Sequence, residues 1–445
     1  MMVAVAGTIW AADGVPIADP QPRQVLAPNL YDPTRGLDAN GRIPKVALPD
    51  DVPAPQRWRY VPEGRIPPGN FIERFFITSF AAPFFFYEKD VGAGGGVAVT
   101  DIDFRAQRRQ EFLGVFASAT TEGQEAYAVV WNHSLNHRSL PEGVIIEERS
   151  SITGLAAYER SRTRRFFGLG PDTTADDETS FTDEVSQVGV SVELAVPGPG
   201  EDWVLSAGTR WEHHNLTRGR ISDHPSTGVV YPELVSEADS TDLWWTSVGL
   251  RYDTRDSQAN AYSGWHLGVT LRAAPVASTG DAGAIAECRG GWAVKLWSPW
   301  HDGGDAGEES PPTDTLVLGA FVQDTMGDLP FYALPNLGGN DTLRGYIANR
   351  FTDRAAWHAT AEYRFWPVPR GIRFTDAIRI ERLGLALFYD LGSVAKDIES
   401  LDEAVLHDSY GIGLRLAFER AAIFRIDVGF SKEDTAVTAT FGLSL

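Results

Sequence analysis

The stretch LPNLGGNDTLRGYIANRFTDR, residues 334–354, decides how the rest of the chain is read. It places Leu343-Arg344-Gly345-Tyr346 shortly after the pair Gly338-Gly339, between two stretches in which apolar and polar residues alternate. Arginine keeps its proton in proteins, so a buried one needs acceptors. Two carboxylates downstream, Glu362 and Asp390, occupy polar positions of alternating stretches. We expect Arg344 to reach back into a β-barrel and to be held there by one or both of them.

The alternation is clear on both sides of this run. In 264–272, Trp265, Leu267, Val269 and Leu271 alternate with His266, Gly268, Thr270 and Arg272. In 357–365, Trp357, Ala359, Ala361, Tyr363 and Phe365 alternate with His358, Thr360, Glu362 and Arg364. Phe424, Ile426, Val428 and Phe430 alternate with Arg425, Asp427 and Gly429, and the pattern returns in 437–445. A period of two means strands with one apolar and one polar face. A soluble sandwich would also alternate. Here the polar face carries Gly, Ser, Thr, Arg and carboxylates, which suits a wet lumen, and aromatics near strand ends suit interfacial belts. Segments of about nine to eleven residues match a tilted membrane crossing.

The expected fold is therefore all-β: a transmembrane antiparallel β-barrel with a long loop folded into the lumen. Fifteen strand-like stretches can be marked, at 91–103, 110–121, 125–136, 143–160, 181–196, 202–217, 242–254, 264–274, 290–300, 313–324, 355–366, 382–391, 409–418, 423–430 and 435–445. Bacterial single-chain barrels have an even number, so sixteen are expected, with two merged in 143–160. Polar inserts at 171–184, 217–241 and 301–312 read as long external loops that alternate with shorter periplasmic turns. Gly92, Gly94 and Gly96, on one side of the first marked strand, suit a bend or a loosely paired seam.

Composition narrows the classes less sharply. No run of about 18 uncharged apolar residues exists, so no transmembrane helix is expected; a barrel evades that test. The 44 glycines and 13 tryptophans suit many strands with aromatic girdles. A net charge of −21 argues against nucleic acid as a partner. Cys288 is the single cysteine, so no intramolecular disulfide can form. The first twelve residues, MMVAVAGTIWAA, read either as a shortened export signal or as an apolar tail. Residues 13–70 are rich in proline and read as an irregular extension. The apolar run FFITSFAAPFFFY, interrupted by Pro83, is expected near the barrel mouth or membrane interface. The domain reading is thus 1–90 as signal remnant plus proline-rich extension, and 91–445 as barrel.

The arginine run resembles the loop motif of the bacterial surface antigen superfamily of outer-membrane assembly factors (BamA-TamA-like) and two-partner secretion transporters. The motif is carried by Gly338, Gly339, Leu343, Arg344, Gly345 and Tyr346. Glu362 in AEYRF and Asp390 in LFYDLGSV match the family's acidic partners of the loop arginine. The order YGIGLRL, FRIDVGF and a terminal amphipathic strand matches as well. Upstream, Asp253-Thr254-Arg255-Asp256 before Gly264, and RFFGLGPDTT at 165–174, resemble other family segments. The resemblance implies a sixteen-stranded barrel in the bacterial outer membrane. It implies insertion or translocation of proteins or lipids, in a short form without N-terminal polypeptide-transport-associated domains.

Other chemistry finds little support. Asp253 and Arg255 share a strand face and read as a wall ion pair. His213 and His214 are adjacent in a strand and point to opposite faces, and His133 and His137 would lie about 13 Å apart along one, so neither pair suggests a metal site. No GxSxG, HExxH or P-loop pattern is present, and an acidic run at Asp176-Asp177-Glu178 reads as a solvated loop. We expect no enzymatic activity, no cofactor and no metal. Expected partners are outer-membrane lipid, client proteins or lipids, and a periplasmic partner. The rival reading is a passive pore or structural surface protein of the Gram-negative envelope.

Overall fold

The computed structural model describes residues 36, 38, 42–62, 79–88, 92–101, 104–221, 223–235, 238–276, 280–304, 307–369, 371–373, 379–417, 423–441 and 443. Sixteen strands pair in chain order as one antiparallel meander. They are β1 (Ser79–Glu88), β2 (Gly92–Asp101), β3 (Glu111–Thr120), β4 (Glu125–Ser134), β5 (Ser151–Phe166), β6 (Thr179–Val196), β7 (Trp203–Arg218) and β8 (Ala238–Asp253). The second half comprises β9 (Gly264–Pro275), β10 (Ala282–Leu296), β11 (Asp314–Gly327), β12 (Ala355–Val368), β13 (Arg382–Ala395), β14 (His407–Ala417), β15 (Ile423–Ser431) and β16 (Thr435–Phe441). β1 and β16 end the sheet and lie alongside each other, with no hydrogen-bonded ladder between them among the described residues.

Burial is inverted relative to a water-soluble fold. In β9, Trp265 and Leu267 are 45% and 53% exposed while His266 between them is buried. In β12 and β13, His358, Glu362, Arg364, Arg382 and Asp390 are buried, whereas Leu387 and Tyr389 are exposed. Closing the sheet satisfies backbone groups between strands, and the outward apolar face is then solvated by lipid tails. Aromatic rings crowd that face near its edges. Trp203, Tyr252 and Trp265 form a contiguous group with ring centroids 5.0 and 5.2 Å apart. Tyr410 and Phe430 pack at 5.6 Å near the opposite edge.

In an antiparallel meander, links after odd-numbered strands gather at one end. Links after even-numbered strands gather at the other, with the start of β1 and the finish of β16. At this termini end, Trp58–Pro62 pairs with Gly143–Glu147, which pairs in turn with His137–Leu140. Val144 and Ile145 of this small sheet are fully buried. The segment 42–62 is tied to four separate links. Arg59 meets Glu148 at 2.6 Å, Arg57 meets Asp202 at 2.6 Å and donates to the Thr254 carbonyl at 2.9 Å, and Arg42 meets Glu308 at 3.0 Å.

Several expectations are corrected here. The barrel begins at Ser79, not at residue 91, so the missing sixteenth strand is Ser79–Glu88 and was not hidden in 143–160. That stretch does contain two strands, but Gly143–Glu147 belongs to the small sheet and only Ser151–Phe166 to the barrel. Pro83 obscured β1; an edge strand tolerates a proline because one side of it makes no ladder. The glycine-rich strand is consequently the second, and it pairs with β1 along its whole length, from Ser79↔Asp101 to Glu88↔Gly92. Its glycines make room for rings: a Cβ on Gly94 or Gly96 would strike Phe86 or Phe84. The inserts 171–184 and 217–241 lie at one end, but 301–312 follows an even-numbered strand and lies at the termini end. The tenth strand covers Ala282–Leu296, displaced from 290–300. The readings of residues 1–35, and the parts of the proline-rich and apolar-run readings that fall on 37, 39–41 and 63–78, lie outside the described residues.

The two faces give a direct test. Val269→Arg places a charge against lipid and should cost about 2–4 kcal/mol if the site is near the midplane. The same change at lumen-facing Thr270 should cost clearly less. Urea unfolding in liposomes measures both; equal losses would contradict the assignment of faces.

Candidate functional site: the arginine loop in the barrel lumen

The loop joins β11 to β12. Asn336–Leu337 pairs with Phe351–Thr352, pinching the loop at its base. Gly338 and Gly339 turn the chain with φ of +114° and +94°, conformations that disfavour a side chain. The Gly339 amide donates to the Tyr346 carbonyl at 3.1 Å, and the Tyr346 amide to the Leu343 carbonyl at 2.9 Å. Leu343 and Tyr346 turn toward a small apolar cluster with Leu337, Phe351, Phe321 and Val394. That leaves the arginine between them facing the opposite way, toward the barrel wall.

The Arg344 guanidinium is 1% exposed and meets three strands. Its Nε donates to Asp390 Oδ2 at 2.9 Å and Nη2 to Asp390 Oδ1 at 3.0 Å, a two-pronged contact with β13. The Arg344 amide also donates to Asp390 Oδ2, at 3.1 Å. Nη1 donates to Glu362 Oε2 on β12 at 2.5 Å and lies 3.7 Å from Asp427 Oδ2 on β15. Thr360 completes the shell, accepting from Nη2 at 3.2 Å and donating to Asp390 at 2.6 Å. The Phe388 ring lies under the cation, 3.6 Å from Cζ. Burial works against the charged form, but Glu362, Asp390 and Asp427 outweigh it and hold the proton more tightly than usual.

The acids are themselves shared. Glu362 Oε1 accepts from Arg364 at 2.7 Å and lies 3.1 Å from Arg415. Asp427 takes Arg415 at 2.5 Å and Arg425 at 3.3 Å, and Arg425 reaches Asp341 in the loop at 2.5 Å. Four arginines thus face four carboxylates, a balance that offsets the desolvation of so many charges. Two close approaches require glycine. A Cβ on Gly345 would come within 2.5 Å of the Phe430 carbonyl carbon, and one on Gly429 would overlap the Arg344 carbonyl.

A second arginine closes the loop from the other side. Arg350 donates to Glu433 at 2.7 and 3.0 Å and to the Thr173 carbonyl at 2.7 Å. Its Cζ lies 4.5 Å from the Phe167 ring and 4.4 Å from the Phe351 ring. The segment RFFGLGPDTT is thereby brought onto the lumen loop, with the Gly170 amide donating to the Thr352 carbonyl at 3.0 Å. Asp253 and Arg255 lie elsewhere. Asp253 is the last residue of β8, and Arg255, just past the strand end, donates to it through Nε at 3.0 Å and Nη2 at 2.8 Å. Arg251 adds a contact to Asp253 at 3.2 Å, and Arg149 donates to the Arg255 carbonyl at 2.8 Å.

Sequence reasoning singled out Glu362 and Asp390 but not Asp427, Thr360, Arg415 or Arg350. Asp427 stands on the polar face of FRIDVGF, as Glu362 does in its own strand. Pairing the four strands from β12 to β15 brings the three acids to one patch. Arg350 left no such signal, because its partners come from loops remote in sequence.

Arg344→Ala leaves Asp390 and Glu362 short of a partner and should cost about 3–5 kcal/mol. Arg344→Lys should recover only part, since an ammonium lacks the planar fork. Heat-modifiability on gels and urea midpoints measure both, and an unchanged midpoint for Arg344→Ala would refute a holding role. Gly345→Ala should also destabilise the barrel, by backbone collision with Phe430; wild-type stability in that variant would show the loop to be loosely seated.

An Omp85 superfamily domain model matches residues 147–445. No curated protein sequence matches. Among solved structures, the chain is similar to BamA from Haemophilus ducreyi lacking POTRA domains 1–3, at 12% identity and a TM-score of 0.49, covering 82% of this chain and 70% of that one. It is also similar to CdiB from Acinetobacter baumannii, at 12% identity and a TM-score of 0.46, covering 82% of this chain and 59% of that one. The domain match spans two thirds of the chain and includes the whole arginine loop and its wall. The chain belongs to the Omp85 superfamily and is a β-barrel protein of the bacterial outer membrane.

Proposed function

We propose that this barrel inserts or translocates proteins, or lipids, at the outer membrane, with the loop anchored in the lumen by Arg344 to Glu362 and Asp390. The observation that carries this reading is the junction of β1 and β16: two sheet edges side by side without a ladder among the described residues. Unpaired backbone groups at membrane depth cost several kcal/mol each, so such a junction favours pairing with an incoming strand or thinning of the surrounding lipid. The arginine loop supplies a fixed support across β12, β13 and β15, close to the closing end of the sheet. Membership of the Omp85 superfamily supports the same class of activity. A periplasmic partner would meet the termini end, where segment 42–62 and the small sheet lie.

The rival reading, a passive pore, is disfavoured by the loop packed inside the barrel. Proteoliposomes separate the two. The protein should accelerate insertion of a urea-denatured client barrel several-fold over empty vesicles, and Arg344→Ala should lose that acceleration. No acceleration together with a large steady conductance would overturn the proposal in favour of a pore.

A further inference from the structure

The lumen contains a second arginine group, on the wall across from the Arg344 cluster. Arg210 on β7, Arg272 on β9 and Arg289 on β10 line a cavity of about 590 Å³, bounded on its other side by the loop residues Asn340 and Asn349. Arg210 pairs with Glu212 at 2.8 Å and Arg289 with Glu287 at 2.9 Å, each through Nε, so their terminal amino groups stay available. Glu287 is further occupied by Gln323 at 2.5 Å, and Glu212 by the Trp245 indole at 2.7 Å. Arg272 makes no hydrogen bond or ion pair to any described residue, although Glu287 and Glu212 as well as the other two arginines are near enough to act on its charge. Of the remaining carboxylates of the cavity wall, Asp341 takes Arg425, whereas Glu159 takes only the neutral amide of Gln124 and keeps its charge. The amides of Asn340 and Asn349 likewise have no described partner.

With Arg164 held by Asp183 and Asp341 by Arg425, three guanidinium groups that cannot lose their protons meet Glu212, Glu287 and Glu159 around a confined space. Charge is balanced in number, but the Arg272 fork and the terminal amino groups of Arg210 and Arg289 are unused by any described residue, and two amides join them. A carboxylate ligand would take up few of these donors; a tetrahedral oxyanion presents more acceptors and more charge to the same fork. We propose that this cavity binds a phosphate-bearing anion, with Arg272 as its principal charge partner. The proposal is independent of client insertion, since it concerns the lumen wall and holds equally for a pore.

Isothermal titration of the full chain in neutral detergent with inorganic phosphate, glycerol 3-phosphate and a short-chain phosphatidic acid tests it. Arg272→Gln should weaken binding at least tenfold and Asn340→Ala a few-fold. Arg138→Gln, which removes the same charge from an exposed pair with Asp51, should leave it unchanged. Tenfold tighter binding of the phosphatidic acid than of inorganic phosphate would identify a lipid headgroup as the source; equal binding would identify the free anion. Absence of phosphate binding to the wild type, equal losses in the Arg272 and Arg138 variants, or equal competition by acetate would each overturn the proposal. Should Arg272→Gln fail to give the folded, heat-shifted band, Arg272→Lys and Asn340→Ala carry the same comparison.

Discussion

A guanidinium buried inside a membrane barrel must be fully paired or it cannot be there. Arg344 meets that demand by drawing acceptors from three strands at once: Asp390 through two prongs, Glu362 through one, and Asp427 at the edge of the shell. The surrounding residues follow from this requirement. Thr360 orients Asp390, Phe388 presents its face to the cation, and Gly345 and Gly429 let the loop backbone lie flat against β15. Arg364, Arg415 and Arg425 then keep the acids from being left in excess. Such a network is costly to break at any single point, because each deletion strands a buried charge. Its contribution is better described as fixing one loop position than as adding net stability.

The two halves of the lumen are built differently. From β12 to β15 the inward face is buried and its charges are paired, so the loop and wall form a packed polar core. From β7 to β10 the inward face borders a cavity, and there Arg272 makes no hydrogen bond or ion pair to a described residue. The loop divides these regions: its apolar pair, Leu343 and Tyr346, and its arginine hold one side, while Asn340 and Asn349 look toward the other. At the far end the small sheet and segment 42–62 bring four inter-strand links together through Arg42, Arg57 and Arg59. Outside, the same strands present Leu, Val and Trp to lipid. One chain therefore satisfies two solvents through a period of two.

Much of this was legible in residue order because a strand in a barrel wall has only two faces. Alternation in 264–272, 357–365 and 424–430 identified both, and it placed Glu362 and Asp390 inward alongside a loop arginine. Where alternation failed, so did the reading. β1 was missed because Pro83 and a run of phenylalanines obscure the period, although an edge strand needs ladder partners on one side only. Gly143–Glu147 looked like a barrel strand because a fully buried strand in a small sheet is apolar on both faces, a pattern that local sequence cannot distinguish.

The sequence by itself determined the strand period, the inward placement of charge and the glycines that allow a loop to pack closely, since each depends on near neighbours in the chain. Tertiary structure alone decided that Asp427 joins Glu362 and Asp390, that Arg350 clasps Thr173 and Glu433, and that Arg272 faces a cavity with its fork unbonded to any described residue. Those outcomes depend on strand register and barrel closure, which bring together residues up to 177 positions apart. A charge finds its partner by proximity in space, and in a closed sheet that proximity exists only once every strand has taken its place.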